Sequence, residues 1–132
     1  MAKKELVKSS DYCFACGKKN PIGFHLEIKE EGDLVKTTFT MRKEYEGYSN
    51  IAHGGIIATL LDEMCAWVCR KNGYQALTGE LKVRLKQPVR VGETVEITGK
   101  ILEKKRNVLI CRSEMKNEKG DLVAFAEGKM VF

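Results

Sequence analysis

Proline is scarce in this chain, two residues in 132, and histidine is equally rare. No low-complexity segment, internal repeat or linker interrupts the sequence, so the expected organisation is one domain over residues 1–132. No uninterrupted apolar run approaches the length of a membrane span. The opening Met1-Ala2-Lys3-Lys4-Glu5 lacks the apolar core of a secretion signal. The expectation is a cytoplasmic protein with no membrane partner. The five cysteines are too odd a number to pair fully within one chain, and free thiols are expected. Acidic residues are outnumbered by basic ones, 18 to 23, for a net charge of +5 that suits an anionic partner. A phosphorylated small molecule and nucleic acid are both such partners. The basic residues are scattered through strands and turns, with no basic arm or recognition helix, so no nucleic acid is expected.

An apolar fraction of 43% supports a folded core. Residues 1–20 read as a polar N-terminal segment that contains the turn Cys13-Phe14-Ala15-Cys16-Gly17. Such a knuckle can present two thiolates to zinc or form a redox pair. A structural zinc needs four ligands. No second Cys-x-x-Cys exists, although His25 could supply a third ligand or two subunits could share an ion. The preferred reading is a small-residue turn without metal, with a zinc-binding interaction domain as the minor alternative. Phe24, Leu26 and Ile28 alternate with polar residues and predict a first strand. Leu34–Met41 predicts a second, with Val35, Thr37 and Phe39 on one face. A helix is predicted from about Gly55 to Lys71, ending at Asn72-Gly73, with apolar residues around most of its circumference. Four strands follow, the first with Leu81, Val83 and Leu85 alternating against Lys82, Arg84 and Lys86. Glu103 to Asn107 reads as a basic hairpin turn.

The chain is organised around His53-Gly54-Gly55-Ile56-Ile57-Ala58-Thr59-Leu60-Leu61-Asp62-Glu63. Two glycines directly before an apolar helical run expose backbone N–H groups at the positive end of a helix dipole. No side chain stands between those donors and a ligand. Asp62 follows among Ile57, Leu60, Leu61, Met64 and Trp67, apolar company in which a carboxylate needs a purpose. Donors for an oxyanion together with a carboxylate suggest acyl transfer or hydrolysis. The competing reading of Asp62 is a helical carboxylate that caps a neighbouring loop or pairs with Arg70 or Lys71. Glu63 lies about 100° further round the helix, so the two acids serve different surroundings; Glu63 is expected to face solvent or a partner subunit.

His53-Gly54-Gly55 with Asp62 nine positions beyond the histidine resembles the signature of hotdog-fold acyl-CoA thioesterases, in the branch of the phenylacetate-degradation enzymes. Thr78-Gly79-Glu80-Leu81 through Pro88-Val89-Arg90-Val91-Gly92 resembles the strand after the helix and its closing turn. The resemblance covers roughly residues 20 to 132. It implies an α+β hotdog fold, a long central helix wrapped by a curved antiparallel sheet of five to six strands. It also implies an acyl-CoA thioesterase that hydrolyses a thioester to free acid and coenzyme A, without metal or redox cofactor.

On that resemblance Asp62 is the general base or nucleophile, while backbone N–H groups of Gly54 and Gly55 polarise the carbonyl. His53 holds the thioester or orients its loop, or is a structural histidine bonded to backbone. Thr78 touches substrate or the attacking water. Lys86, Arg90, Lys104, Lys105, Arg106 and Asn107 fall where coenzyme A contacts lie. Relatives often carry a polar side chain six residues before the histidine. Here Gly47 occupies that place, and Asn50 is the substitute candidate. The implied assembly is a homo-oligomer, a dimer or a dimer of dimers, in which the Gly-Gly end of one helix faces Asp62 of the other subunit. The alternative is a non-catalytic acyl-CoA-binding module on the same fold. Neither the acyl group nor the choice between dimer and tetramer follows from the resemblance.

Overall fold

The computed structural model describes residues 8–132; the first seven residues of the polar N-terminal segment lie outside the described range. Six strands and one long helix follow in the order β1 (Lys29–Glu31), β2 (Leu34–Thr40), α1 (Gly54–Lys71), β3 (Leu77–Leu85), β4 (Thr94–Lys105), β5 (Val108–Lys116) and β6 (Leu122–Val131). A single 3-10 turn, Lys43–Tyr45, precedes the loop into α1. The strands form one sheet in the order β1-β2-β4-β5-β6-β3. All neighbouring pairs are antiparallel. Register shifts at Thr78/Glu80, Ile101/Glu103 and Met115/Lys116 mark bulges. Bulges bend strands and increase their twist, so the sheet curves around the helix. No helix among the described residues is long and apolar enough to cross a membrane.

The period-two pattern explains which face each strand buries. Val35, Thr37 and Phe39 of β2 point inward, as do Val95 and Ile97 of β4. Leu109, Cys111, Ser113 and Met115 do the same on β5, and Ala124, Ala126 and Met130 on β6. Against them α1 buries Ile57, Leu60, Leu61, Met64, Cys65, Val68 and Cys69. This is a wide stripe at helical spacing rather than a full circumference. The opposite side carries Ile56, Ala66 and Trp67, half-covered, and exposed Gly55 and Arg70. The helix ends at Asn72, whose side-chain amide donates to the Val68 carbonyl at 2.8 Å, and Gly73 takes the left-handed turn at φ +86°.

Two expectations need correction. The alternating segment Phe24–Ile28 is extended, with Phe24 and Leu26 buried, but it joins no ladder; the first strand is the three residues Lys29–Glu31. The Phe24 and Leu26 N–H groups donate instead to the carbonyls of Phe14 and Ala15, both at 2.9 Å. The cysteine knuckle thus occupies the place of a neighbouring strand. The basic hairpin is also tighter than read. β4 continues through Lys105 and β5 begins at Val108, leaving Arg106-Asn107 as a two-residue turn with Arg106 at φ +43°.

One glycine sets the seat of α1. A Cβ on Gly99 would come within 2.5 Å of the Met64 carbonyl oxygen, so the helix backbone lies directly on the middle of β4. That contact presses Met64, Leu61 and Val68, all fully buried, into the sheet. Gly99→Ala is expected to destabilise the protein by about 1–3 kcal/mol through overpacking against backbone that cannot rotate away. Urea unfolding of the variant measures this; an unchanged midpoint would mean that the helix seat gives way freely.

Candidate active site

The loop before α1 is anchored at several points. Buried Tyr45 accepts the His53 N–H on its carbonyl at 2.8 Å, and Ala52 donates to the Val89 carbonyl at 2.8 Å. Isolated bridges join Glu46 to Ala52 and Ile51 to Arg90. Asn50 adopts φ +65°, a left-handed conformation that asparagine tolerates. Its N–H donates to Glu46 Oε2 at 3.0 Å, and its carbonyl accepts from Val91. The Asn50 N–H, and then the Lys43 ammonium, hold the Glu46 carboxyl below its ordinary range. The stabilising contribution of this anchor is present above the unfolded-state value and is lost as pH falls through the lowered one. Asn50 therefore shapes the loop through its backbone. At Gly47 a Cβ would stand 3.1 Å from His53 Cα, so the loop folds tightly onto the histidine.

His53 is the N-cap of α1, and its Nδ1 accepts the Gly55 N–H at 2.9 Å. An imidazole that accepts at Nδ1 carries its proton on Nε2 when neutral, so the ring presents a donor outward. The two glycines thereby part company. Gly55 uses its N–H on the cap, and a Cβ there would crowd the same Nδ1 at 3.2 Å. The Gly54 N–H has no acceptor among the described residues. It lies beside β3, where a Cβ on Gly54 would meet Leu85 Cδ1 at 3.1 Å.

Two turns along the helix, half-buried Asp62 accepts a hydrogen bond from Thr78 Oγ1 on its Oδ1 at 2.7 Å. The structure brings these two predicted residues together, although they come from α1 and the first residues of β3. The competing ion pairs for Asp62 are absent among the described residues. Arg70 stacks on the Trp67 ring at 4.5 Å, and Lys71 donates to the Gly32 carbonyl. The thiols of the helix are no rival nucleophiles. Burial pushes Cys65 up to about 12, and Cys69 lies fully buried 3.4 Å from Cys111.

Glu63 corrects the expectation that it faces solvent or a partner. It turns to the knuckle, accepting from Trp67 Nε1 at 3.1 Å and from Cys13 Sγ at 3.6 Å. Nothing in a linear pattern connects residues 13 and 63; only the folded path of the N-terminal segment does.

The predicted cations fall into two groups that one chain keeps apart. Leu77 of β3 and Val108 of β5 both pair with Val131, whereas Leu85 and Met115 both pair with Ala124. Lys86 and Arg90 therefore follow one end of the sheet, and Lys104–Asn107 form the hairpin at the other. Lys104 sits over the rings of Tyr74 and Phe132 at 5.3 and 5.7 Å, and Lys105 pairs with Glu103 at 3.8 Å. Arg106 has no acidic partner among the described residues.

Residues 49–124 match the family model of the thioesterase superfamily, and the chain belongs to that family. Its fold is the hotdog fold of that superfamily. A candidate esterase of Archaeoglobus fulgidus is 29% identical over 103 residues, covering 78% of this chain and 66% of its own length. The acyl-coenzyme A thioesterase PaaI of Escherichia coli is 24% identical over 115 residues, covering 87% of this chain and 80% of its own. The crystal structure of a thioesterase superfamily protein superposes with a TM-score of 0.88 at 22% identity, over 92% of this chain and 61% of that one. A Streptococcus mutans protein bound to acetyl CoA superposes at 0.76 with 24% identity, over 80% of this chain and 86% of that one. The chain thus spans just under two thirds of the archaeal relative and of the first of these structures.

Gly55→Ala is expected to lower stability by about 0.5–2 kcal/mol, the range for loss of a helix cap, because the methyl group displaces the His53 ring. Thermal unfolding with His53→Ala alongside checks the cause. Effects of similar size that do not add in the double variant identify one shared interaction.

Proposed function

We propose that this protein is an acyl-CoA thioesterase, hydrolysing an acyl-CoA to free acid and coenzyme A in the cytoplasm as a homodimer or dimer of dimers. The observation that carries the reading is the 2.7 Å bond from Thr78 Oγ1 to Asp62 at the sheet's edge strand. The threonine proton occupies Oδ1 and leaves the other carboxylate oxygen to take a proton from water as it adds to the thioester, or to attack the thioester itself and form an anhydride that water then hydrolyses. The Gly54 N–H polarises the carbonyl and steadies the tetrahedral oxyanion, and coenzyme A leaves as thiolate. His53 holds Gly55 and directs its Nε2–H toward the substrate.

Geometry supports a site shared between two copies. Gly54 and Asp62 lie eight residues apart on one helix, about 12 Å at 1.5 Å per residue, too far to act on one carbonyl. β3 ends the sheet and exposes Leu77 and Leu85, at 44% and 50%. An antiparallel pairing of β3 with β3 of a second copy buries both. Centred near Leu81, it sets Leu85 of one copy opposite Leu77 of the other. Because Gly54 packs at Leu85 and Asp62 bonds Thr78, each glycine then meets the other copy's aspartate. The same two-fold moves Lys86 and Arg90 of one copy to the hairpin end of the other, where Arg106 and its neighbours can share the phosphates of coenzyme A. Binding of acetyl CoA by the Streptococcus mutans neighbour supports the ligand class.

Coenzyme A release, followed chromatographically over short, long and aromatic acyl-CoAs, tests the reading. Asp62→Asn is expected to lose at least about 10²-fold in kcat, and Thr78→Val about ten- to hundredfold. Gly54→Pro removes the N–H at a helix position that favours proline, after a residue already extended at ψ 134°, and is expected to cost about 10²–10³-fold. Turnover that survives in Asp62→Asn removes aspartate catalysis. Tight acyl-CoA binding without turnover in the wild type assigns a binding module instead. For the shared site, refolding Asp62→Asn with Gly54→Pro in equal amounts is expected to restore about a quarter of wild-type activity, since half the dimers are mixed and each holds one intact site. No recovery places both groups in one chain.

A further inference from the structure

The cysteine knuckle, which the proposed hydrolysis does not use, forms a second cluster with a carboxylate. Cys13 Sγ, Cys16 Sγ and a Glu63 carboxylate oxygen all lie within 4.8 Å of one another, each half-buried. We propose that these three residues bind a zinc ion that clips the N-terminal segment to helix α1. The inference is independent of the thioesterase reading.

Four observations carry it. The donor set suits zinc, which takes thiolate sulfur and carboxylate oxygen in a tetrahedron. The spacing suits it too. Sulfur at about 2.3 Å and oxygen at about 2.1 Å from a tetrahedral zinc stand about 3.6 Å apart, and Cys13 Sγ lies 3.6 Å from Glu63 Oε2. The backbone is shaped for thiolate. The Cys16 N–H points at Cys13 Sγ at 3.4 Å, and Gly17 N–H closes the turn onto the Cys13 carbonyl at 2.9 Å. Gly17 has no room for a side chain, since a Cβ would meet Cys13 N at 2.3 Å. Finally, Trp67 Nε1 donates at 3.1 Å to the same Glu63 Oε2 that faces Cys13 Sγ and so fixes the carboxylate's orientation, as outer partners of metal ligands do.

A dication would bind the two sulfurs as thiolates and release their protons. His25, the third ligand weighed from sequence, is engaged elsewhere, with its Nε2 2.6 Å from the Asn20 carbonyl oxygen. The three protein ligands would leave the fourth place of the tetrahedron to water, one protein ligand fewer than an ordinary structural zinc takes. The clip joins residues fifty positions apart and holds α1 one residue from Asp62.

Elemental analysis and cobalt substitution of the untagged, reduced protein test the site. One zinc per chain is expected as purified, together with a sulfur-to-cobalt charge-transfer band after exchange. Removing the metal with chelator should lower Tm by at least about 3 °C. Cys13→Ser and Cys16→Ser should abolish the band. Glu63→Gln, which keeps both sulfurs and the overall shape, should weaken binding without erasing the sulfur signal. Trp67→Phe should weaken it about 10–100-fold. A folded wild-type protein that gives no cobalt–sulfur band overturns the proposal. So does affinity unchanged in Glu63→Gln, or a Cys13–Cys16 disulfide, seen as a mass lower by two hydrogens, as the resting form under reducing conditions.

Discussion

The contact between Gly99 and the Met64 carbonyl is the constraint on which the rest of this structure depends. It lets the axis of α1 approach the sheet more closely than a side chain at position 99 permits. The curved sheet then closes on the helix from β2 to β6, and Leu60, Leu61, Met64 and Val68 leave solvent entirely. Apolar burial of this kind is the dominant favourable term in folding. Because interiors are packed at crystal-like density, the seat also fixes the helix in rotation. Two neighbouring acids on the same helix are thereby sent to different places, Asp62 to β3 and Glu63 to the cysteine knuckle.

The helix N-terminus is held by a separate device. Its cap is a histidine ring rather than a hydroxyl or carboxylate, and the ring is positioned by backbone bonds from the loop that precedes it. Capping consumes one glycine N–H and spares the other. Two adjacent glycines thus meet two different needs, space for the His53 ring at Gly55 and room for Leu85 at Gly54. The edge of the sheet supplies the remaining requirement. β3 carries an apolar row that its own chain half-covers, next to the threonine that bonds Asp62. A single chain therefore holds Gly54 and Asp62 about 12 Å apart along one helix, a distance that the proposed two-fold pairing of edges would remove.

The cysteine knuckle, residues 13–17, belongs to this architecture. It lies along the extended stretch 24–28 by backbone hydrogen bonds, and its Phe14 ring joins Phe24, Phe39 and Tyr45 in an aromatic cluster. Tyr45 in turn anchors His53. Packing thus runs from the knuckle to the cap, while Glu63 connects the same knuckle to the middle of the helix.

Much of this was legible in the sequence because it is written in short range. Period-two alternation marked β2 and the strands after the helix. The glycine pair and Asn72-Gly73 marked the ends of α1, and nine positions between His53 and Asp62 marked the candidate site. The same local patterns misread Phe24–Ile28 as a strand, since alternation reports which side chains are buried and not what the backbone bonds to. What the sequence by itself determined was the class of fold, the extent of the helix and the segment from His53 to Asp62 that holds the candidate site. Only the tertiary structure decided that Gly55 serves the cap, that the cations stand at opposite ends of the sheet, and that Glu63 meets Cys13 and Cys16. The reason is physical. Those outcomes depend on the angle at which one helix seats on a curved sheet, and on contacts between residues dozens of positions apart, which no local periodicity records.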